Sequence, residues 1–176
     1  MTGNSKGVRI KLKALMDIKE NWHDSCGIFG VYAPGEDVSR LTFFALFALQ
    51  HRGQESSGTA ATNGDAIRVH TGMGLVSHVF TENHLSHLTG TLAIGHNRYS
   101  TQGSSRLTNA QPILVNYANE KLALAHNGNI VNADTLRQEL IDQGYKFISS
   151  SDSEVIANLI VASPGNSLTD NILIIF

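Results

Sequence analysis

The single cysteine, Cys26, is the first residue whose chemistry stands out. It opens a run of strand-type residues, CGIFGVYA (26–33), and Gly27 after it lets other groups approach the backbone closely. A lone cysteine usually packs as a small buried hydrophobe. Cys26, however, lies between a polar leader and the apolar body, so removal of the leader would free its α-amino group. An amine with a pKa of about 7.7–8.0 can accept the proton of a thiol with a pKa of about 8.5. Position alone leaves both interpretations open.

A second segment, AHNGN (125–129), could stabilise an oxyanion. The Asn127 side-chain amide and the Gly128 backbone N–H can donate to the same developing negative charge. The alternative is a hairpin turn, because Asn-Gly is the commonest hairpin signal. Taken alone, the segment favours the turn.

A third segment, GHNRYST (95–101), could bind a carboxylate. Arg98 offers a planar pair of donors, and the hydroxyl groups of Tyr99 and Thr101 follow it. The alternative is a solvated arginine at the end of a strand. The binding interpretation requires an α-amino acid as ligand.

Asp152, in SDSE (151–154), could bind the ammonium group of the same ligand. The local pattern favours a structural role, because Ser151 and Glu154 before an apolar run form a capping box. A fourth polar segment, QHRGQES (50–56), holds Arg52 and Gly53. It contains many donors for an ordinary helix exit, although Gly53 would serve as a helix C-cap.

Other site classes find no support in the sequence. One cysteine permits neither an internal disulfide nor a thiolate zinc site. The eight histidines are scattered, so we expect no metal ligands among them. A net charge of -2 argues against a nucleic-acid partner, and no apolar run approaches the length of a membrane span.

The elements around these segments predict an α+β protein with an antiparallel sheet packed against helices. We expect strands at 26–33, 58–62, 66–70, 92–99 and 122–126, with a hairpin turn at 63–65. We expect helices at 38–50, 81–88 and 132–142 and from residue 151 onward. The helix at 38–50 is apolar almost all round, which predicts burial on most of its faces.

The two ends of the chain differ from its body. Residues 1–25 mix basic and acidic side chains and lack the apolar stretch of a secretory signal, so we interpret them as a polar leader of a cytoplasmic protein. The last residues, NILIIF (171–176), form an apolar run with no closing turn. We therefore expect the chain to be a fragment.

Six motifs, in order, resemble one family. CGIFG, LQHRGQESSG (49–58), GHNRYSTQG (95–103), NAQP (109–112), LAHNGNI (124–130) and SDSE are similar to the class II glutaminase domain of the amidophosphoribosyltransferases. The resemblance covers residues 26 to about 160. It implies an N-terminal nucleophile hydrolase fold, a four-layer αββα sandwich of two antiparallel sheets. Residues 1–25 would be a propeptide, and residues 26–176 an incomplete glutaminase domain.

The resemblance also implies roles for individual residues. Cys26 would attack the side-chain amide of glutamine, while Asn127 and Gly128 stabilise the oxyanion. The α-carboxylate would be held by Arg98, near Tyr99 and Thr101, and the α-ammonium by Asp152. The implied site is completed by a loop along the nucleophile, formed by Arg52 and Gly53.

For the whole enzyme, the resemblance implies ammonia transfer to phosphoribosyl pyrophosphate, giving 5-phosphoribosylamine in the first step of purine (IMP) synthesis. Mg²⁺ would serve the phosphoribosyltransferase domain, which is absent here, and some relatives carry a 4Fe-4S cluster. We expect no cofactor or metal within residues 1–176, and a homo-oligomer at full length. Two alternatives remain: the glutaminase of a glucosamine 6-phosphate synthase type enzyme, or an inactive fragment that binds glutamine or a partner protein.

Overall fold

The computed structural model describes residues 26–99, 105–117, 120–165 and 167–175. The leader and Thr101 lie outside these ranges. The elements are β1 (Gly27–Tyr32), α1 (Val38–Ala48), β2 (Ser56–Thr62), β3 (Ile67–Met73), α2 (Val76–Val79), α3 (Glu82–His87), β4 (Leu92–Arg98), β5 (Ile113–Tyr117), β6 (Glu120–Leu124), α4 (Ala133–Asp142), α5 (Asp152–Ala162) and α6 (Leu168–Ile175). Two short 3₁₀ helices, Gln50–Arg52 and Leu107–Asn109, precede β2 and β5.

Two antiparallel sheets organise these elements. The larger has the strand order β1-β4-β2-β3, and the smaller is the β5–β6 hairpin. In the larger sheet, Gly27 of β1 and Ser57 of β2 both pair with Asn97 of β4. Because side chains alternate along a strand, this register divides the sheet into two chemically different faces.

One face of the larger sheet packs on helices. Gly95 of β4 lies directly under α1, since a Cβ there would come within 2.5 Å of the Thr42 side chain. The Asn97 side chain donates to the Leu46 carbonyl of α1 at 2.6 Å. The core on this side consists of Val38, Leu46, Ala61, Val76, Val79, Phe80, Leu85, Leu88 and Ala93.

The opposite face meets the smaller sheet. The backbone at Gln111 approaches Gly58 so closely that a Cβ on Gly58 would lie 2.1 Å from the Gln111 carbonyl oxygen. Strand β3 contacts β6, and α5 packs on the outer side of β5 and β6, where it also contacts α4 and α6. The order helices, sheet, sheet, helices confirms the predicted α+β class and sandwich.

Most elements lie where the sequence predicts them, with three differences. The helix α1 is not buried on most faces, because Phe44 is 64% and Phe47 is 52% exposed. The strand predicted at 122–126 runs from Glu120 to Leu124 instead, since the Gln111 side chain accepts a hydrogen bond from the His126 backbone. None of the three elements β5, α2 and α6 was predicted.

The contact between the two sheets generates a stability prediction. Gly58→Ala should lower the free energy of unfolding by about 3 kcal/mol, because the new methyl group meets a backbone carbonyl that cannot rotate away. Gly30→Ala is the matched control, since its Cβ would come no closer than 3.9 Å to the Ile94 side chain on the same face. Urea unfolding of both variants measures the difference. Equal stability of the two would show that the sheets do not pack in this way.

Candidate active site

The thiol of Cys26 lies against the backbone that follows β4. Cys26 directly precedes β1, and the β1–β4 register places it beside the end of β4. Its sulfur accepts a hydrogen bond from the Tyr99 backbone N–H at 3.4 Å and lies 3.7 Å from the Tyr99 carbonyl oxygen. The residue is partly exposed rather than packed in the core. The structural role of a buried hydrophobe is therefore wrong for Cys26.

Asn127 contacts the same residue from the other sheet. Its side-chain nitrogen donates to the Cys26 carbonyl oxygen at 2.8 Å. The segment that holds it, with Gly128, leads from β6 toward α4 and joins no pair of strands. The hairpin interpretation is therefore wrong, and an amide group lies within reach of the thiol-bearing residue.

Arg98 ends β4 with its side chain buried. One guanidinium nitrogen, Nη1, donates to the Asn109 carbonyl at 3.1 Å, and Nε lies 3.6 Å from the Glu55 carboxylate. A solvated arginine at a strand end would be exposed and would lack these two contacts, so that alternative is wrong. Burial beside one carboxylate holds the planar fork in a fixed orientation.

Asp152 is the first residue of α5, and Ser151 before it is the N-cap. The Ser151 hydroxyl accepts from the Ser153 backbone at 3.2 Å, whereas Asp152 accepts from the Ile130 backbone at 3.0 Å. The predicted capping box is wrong, because the Glu154 carboxylate accepts from the residues before the helix instead. Its donors are the backbone N–H groups of Ile148 and Ser149 and the Ser149 hydroxyl.

Cys26, Arg98 and Asp152 line one cleft, whereas Asn127 is not among its lining residues. A space of about 170 Å³ is lined by Cys26, Arg98, Tyr99, Gln111, His126, Gly128, Asn129 and Asp152. A neighbouring space of about 280 Å³ shares Arg98, Asn129 and Asp152 with it. The cleft is lined by a thiol, a guanidinium and a carboxylate. That arrangement suits a zwitterionic amino acid whose side chain reaches the thiol.

Arg52 and Gly53 lie behind this cleft and are not among its lining residues. Gly53 is the C-cap of the 3₁₀ helix Gln50–Arg52, as the sequence suggested, and its backbone is extended, with φ of −158°. Its smallness serves a close approach, because a Cβ there would lie 2.8 Å from the Arg98 carbonyl carbon. The loop therefore supports the end of β4 from behind.

Five further residues belong to the site region and were missed from sequence. Glu55 pairs with Arg98, Asn109 accepts from it, and the cleft is also lined by Gln111, His126 and Asn129. Glu55, Asn109 and Gln111 stand within the motifs QHRGQES and NAQP, but none of the three had been assigned a role. A signal existed for Glu55, which shortly precedes a predicted strand, because a polar side chain needs a partner once it is buried. Asn109 and Gln111 precede β5, which was not predicted.

His96 lies in the core beneath the site, fully buried between the two sheets. Its pKa is lowered to about 4, chiefly by burial and in addition by the positive charge of Arg98. The neutral ring is therefore the form that the fold accommodates.

The chain is similar to known proteins. Residues 96–173 match the family model of the glutamine amidotransferase domain. Over 134 residues the chain is 54% identical to the amidophosphoribosyltransferase of Synechococcus elongatus, covering 76% of this chain and 27% of that protein. The chain carries a glutamine amidotransferase domain.

Solved structures agree with this assignment. The glutamine phosphoribosylpyrophosphate amidotransferase of B. subtilis, complexed with ADP and GMP, superposes with a TM-score of 0.74 at 45% identity, over 82% of this chain and 31% of that chain. A structure described as the allosteric regulatory enzyme of purine biosynthesis gives 0.76 at 46% identity, with the same coverage of 82% and 31%. These findings confirm the resemblance and the N-terminal nucleophile hydrolase fold predicted from the six motifs. The chain spans about three tenths of the length of these relatives.

Two further findings concern the described ranges only. No helix in them combines the length and apolar character that a membrane crossing requires. No three His, Cys, Asp or Glu side chains in them gather into a group suited to a metal ion.

The buried histidine generates a prediction about pH. In the unfolded chain His96 becomes protonated below a pH of about 6.5, whereas in the folded domain it stays neutral down to a pH of about 4. The free energy of unfolding should therefore decrease as the pH falls from about 6.5 to about 4. The full loss amounts to about 3 kcal/mol. His96→Leu should flatten this part of the profile, measured by urea unfolding at several pH values. His78→Gln, at an exposed histidine, should leave the slope unchanged, and a steep slope retained in His96→Leu would contradict the assignment.

Proposed function

We propose that this chain is the glutaminase part of an amidophosphoribosyltransferase. The observation that carries the proposal is the single cleft in which the Cys26 thiol lies with the Arg98 guanidinium and the Asp152 carboxylate. A nucleophile alone would suit many reactions. A nucleophile at a fixed place relative to a cation and an anion selects an α-amino acid with a reactive side chain.

The proposed reaction begins with removal of residues 1–25 as a propeptide. The freed α-amine of Cys26 takes the thiol proton, and the sulfur attacks the side-chain carbonyl carbon of glutamine. The Asn127 side-chain amide and the Gly128 backbone N–H then stabilise the tetrahedral oxyanion. When the C–N bond breaks, the ammonium group of Cys26 returns the proton to the departing amide nitrogen, and ammonia leaves. Water then hydrolyses the glutamyl thioester, which releases glutamate and restores the thiol.

The other cleft residues would hold glutamine by its α-carbon groups. Arg98 binds the α-carboxylate through its planar fork, with the Tyr99 and Thr101 hydroxyls as further donors. Asp152 binds the α-ammonium. Arg52 and Gly53 keep the end of β4 in place, since Gly53 packs on the Arg98 backbone. Both charged groups already have protein contacts that fix their orientation, so little side-chain ordering remains to be done when glutamine binds.

In the full-length protein, we propose that ammonia reacts with phosphoribosyl pyrophosphate in a phosphoribosyltransferase domain, giving 5-phosphoribosylamine for purine synthesis. The names of the similar proteins support this acceptor over the glucosamine 6-phosphate alternative. A cytoplasmic location and a homo-oligomer are part of the same proposal. Mg²⁺ and a 4Fe-4S cluster concern residues outside this chain and stay predictions.

The proposal is tested by comparing the glutaminase activity of proteins that differ at or just before Cys26. Protein that begins at Cys26 should release glutamate and ammonia from glutamine, and Cys26→Ala should abolish the release while leaving the circular dichroism spectrum unchanged. Protein in which Ser25 remains joined to Cys26 should also be inactive, because an amide nitrogen cannot accept the thiol proton. Coupled assay of glutamate measures all three. Glutamate release by Cys26→Ala would reject the assigned nucleophile, and full activity with Ser25 attached would reject the amine as base.

The role of Asp152 can be separated from its structural contact. Asp152→Asn keeps an oxygen that can accept from the Ile130 backbone but removes the charge, so the fold should be retained. The KM for glutamine should rise about 10- to 100-fold, corresponding to about 1.4–2.8 kcal/mol for a lost charge-assisted contact. Asp142→Asn, at an exposed position of α4, is the matched control. An unchanged KM in Asp152→Asn would remove this carboxylate from the site.

A further inference from the structure

Asn109 is a buried polar residue that touches neither space of the cleft. It ends the short 3₁₀ helix Leu107–Asn109 and is 1% exposed. Its side chain is bound to Ser150. The Ser150 backbone N–H donates to Oδ1 at 2.9 Å, and Nδ2 of Asn109 lies 3.0 Å from the Ser150 hydroxyl.

The backbone of Asn109 reaches the other side of the site. Its carbonyl oxygen accepts from Nη1 of Arg98 at 3.1 Å. Arg98 ends a strand of the larger sheet, whereas Ser150 stands two residues before Asp152 at the start of α5, in the outer layer beyond the smaller sheet. One residue thus links the two elements that carry the guanidinium and the carboxylate.

This link matters because the charges of Arg98 and Asp152 must bind the same small molecule at the same time. The carboxylate and ammonium of an α-amino acid are attached to the same carbon, so their separation is fixed by covalent geometry. Arg98 and Asp152 can bind both only if the end of β4 and the start of α5 keep a matching separation. A displacement of about 1 Å in such a site can reduce a rate by about 100-fold.

We propose that Asn109 is a positioning residue that sets the separation of Arg98 and Asp152, and thereby makes the site selective for substrates carrying both an α-carboxylate and an α-ammonium group. This inference rests on the proposed glutaminase function. Asn109 acts through its neighbours and does not contact the substrate. Its loss should therefore affect recognition of the paired charges more than the chemistry at Cys26, because Asn109 is linked to the elements that carry Arg98 and Asp152.

The test compares two amides in the mature protein. Glutamine carries both charges, and 4-carbamoylbutanoate has the same reactive amide and a carboxylate but no ammonium group. In Asn109→Ala, the KM for glutamine should rise at least 10-fold, kcat should stay within about threefold, and the preference of kcat/KM for glutamine over the analogue should fall at least fivefold. A purely structural role would instead lower kcat for both amides equally and leave the preference unchanged.

A second variant and a control complete the test. Ser150→Ala removes the hydroxyl contacts but retains the backbone donor to Asn109, so the preference should fall by at least twofold, and this variant decides the matter if Asn109→Ala does not fold. Asn158→Ala, which removes another buried amide from α5, should leave the preference unchanged.

The outcomes separate the two hypotheses. Wild-type protein that releases no glutamate would reject the proposed function. Wild-type protein that releases glutamate but does not prefer glutamine to the analogue, or variants at Asn109 and Ser150 that keep the full preference, would overturn the positioning role alone.

Discussion

The site depends on the pairing of β1 with β4. This pairing sets Gly27 opposite Asn97 and so brings the preceding residue, Cys26, to the Tyr99 backbone, on the side of the sheet to which Arg98 belongs. A slip of one residue would turn the thiol toward α1 and away from the arginine. The register is protected by close contacts, because a Cβ on Gly27 would lie 3.1 Å from the Leu49 side chain and one on Gly95 would meet Thr42. The helix and the nucleophile are thus fixed by the same strand pair.

A second constraint is that the Arg98 guanidinium at the cleft is buried and must be satisfied there. Arg98 has Glu55 and the Asn109 carbonyl, and Asn109 in turn is held by Ser150. Leaving one member of such a network without its partner costs more than the contact itself contributes, which ties these residues to one another. The same network orients the fork of the arginine. Stability and binding geometry therefore rest on the same contacts.

The sequence predicted the elements well because their signals are local. The strand pattern of 26–33, the Asn-Gly turn at 63–65 and the polar cap at Ser151 each need only neighbouring residues. The errors arose where contacts with residues outside the motif decide. Glu154 has the spacing of a capping box, yet its carboxylate accepts from Ile148 and Ser149 because that loop brings three donors to it. The dipeptide Asn127-Gly128 is typical of a hairpin turn. Its Asn127 side chain instead donates a hydrogen bond to the carbonyl of Cys26, which is far away in the chain. No local pattern contains such information, whereas the ordered motifs pointed to the site as a whole.

The packing of the two sheets sets the geometry of the cleft. The thiol and Arg98 come from the larger sheet, while Asn127 and Gly128 follow β6 and Asp152 begins α5. The proposed oxyanion donor and the proposed nucleophile thus come from different layers of the fold, and so do the two charges that would hold glutamine. Packing between the sheets consequently controls both pairs at once. The tight approach of Gln111 to Gly58 fixes that packing, and the Gln111 side chain binds the His126 backbone immediately before Asn127. Core packing and catalytic geometry are therefore connected through a single residue of the NAQP segment, which explains why this segment is polar although it is buried.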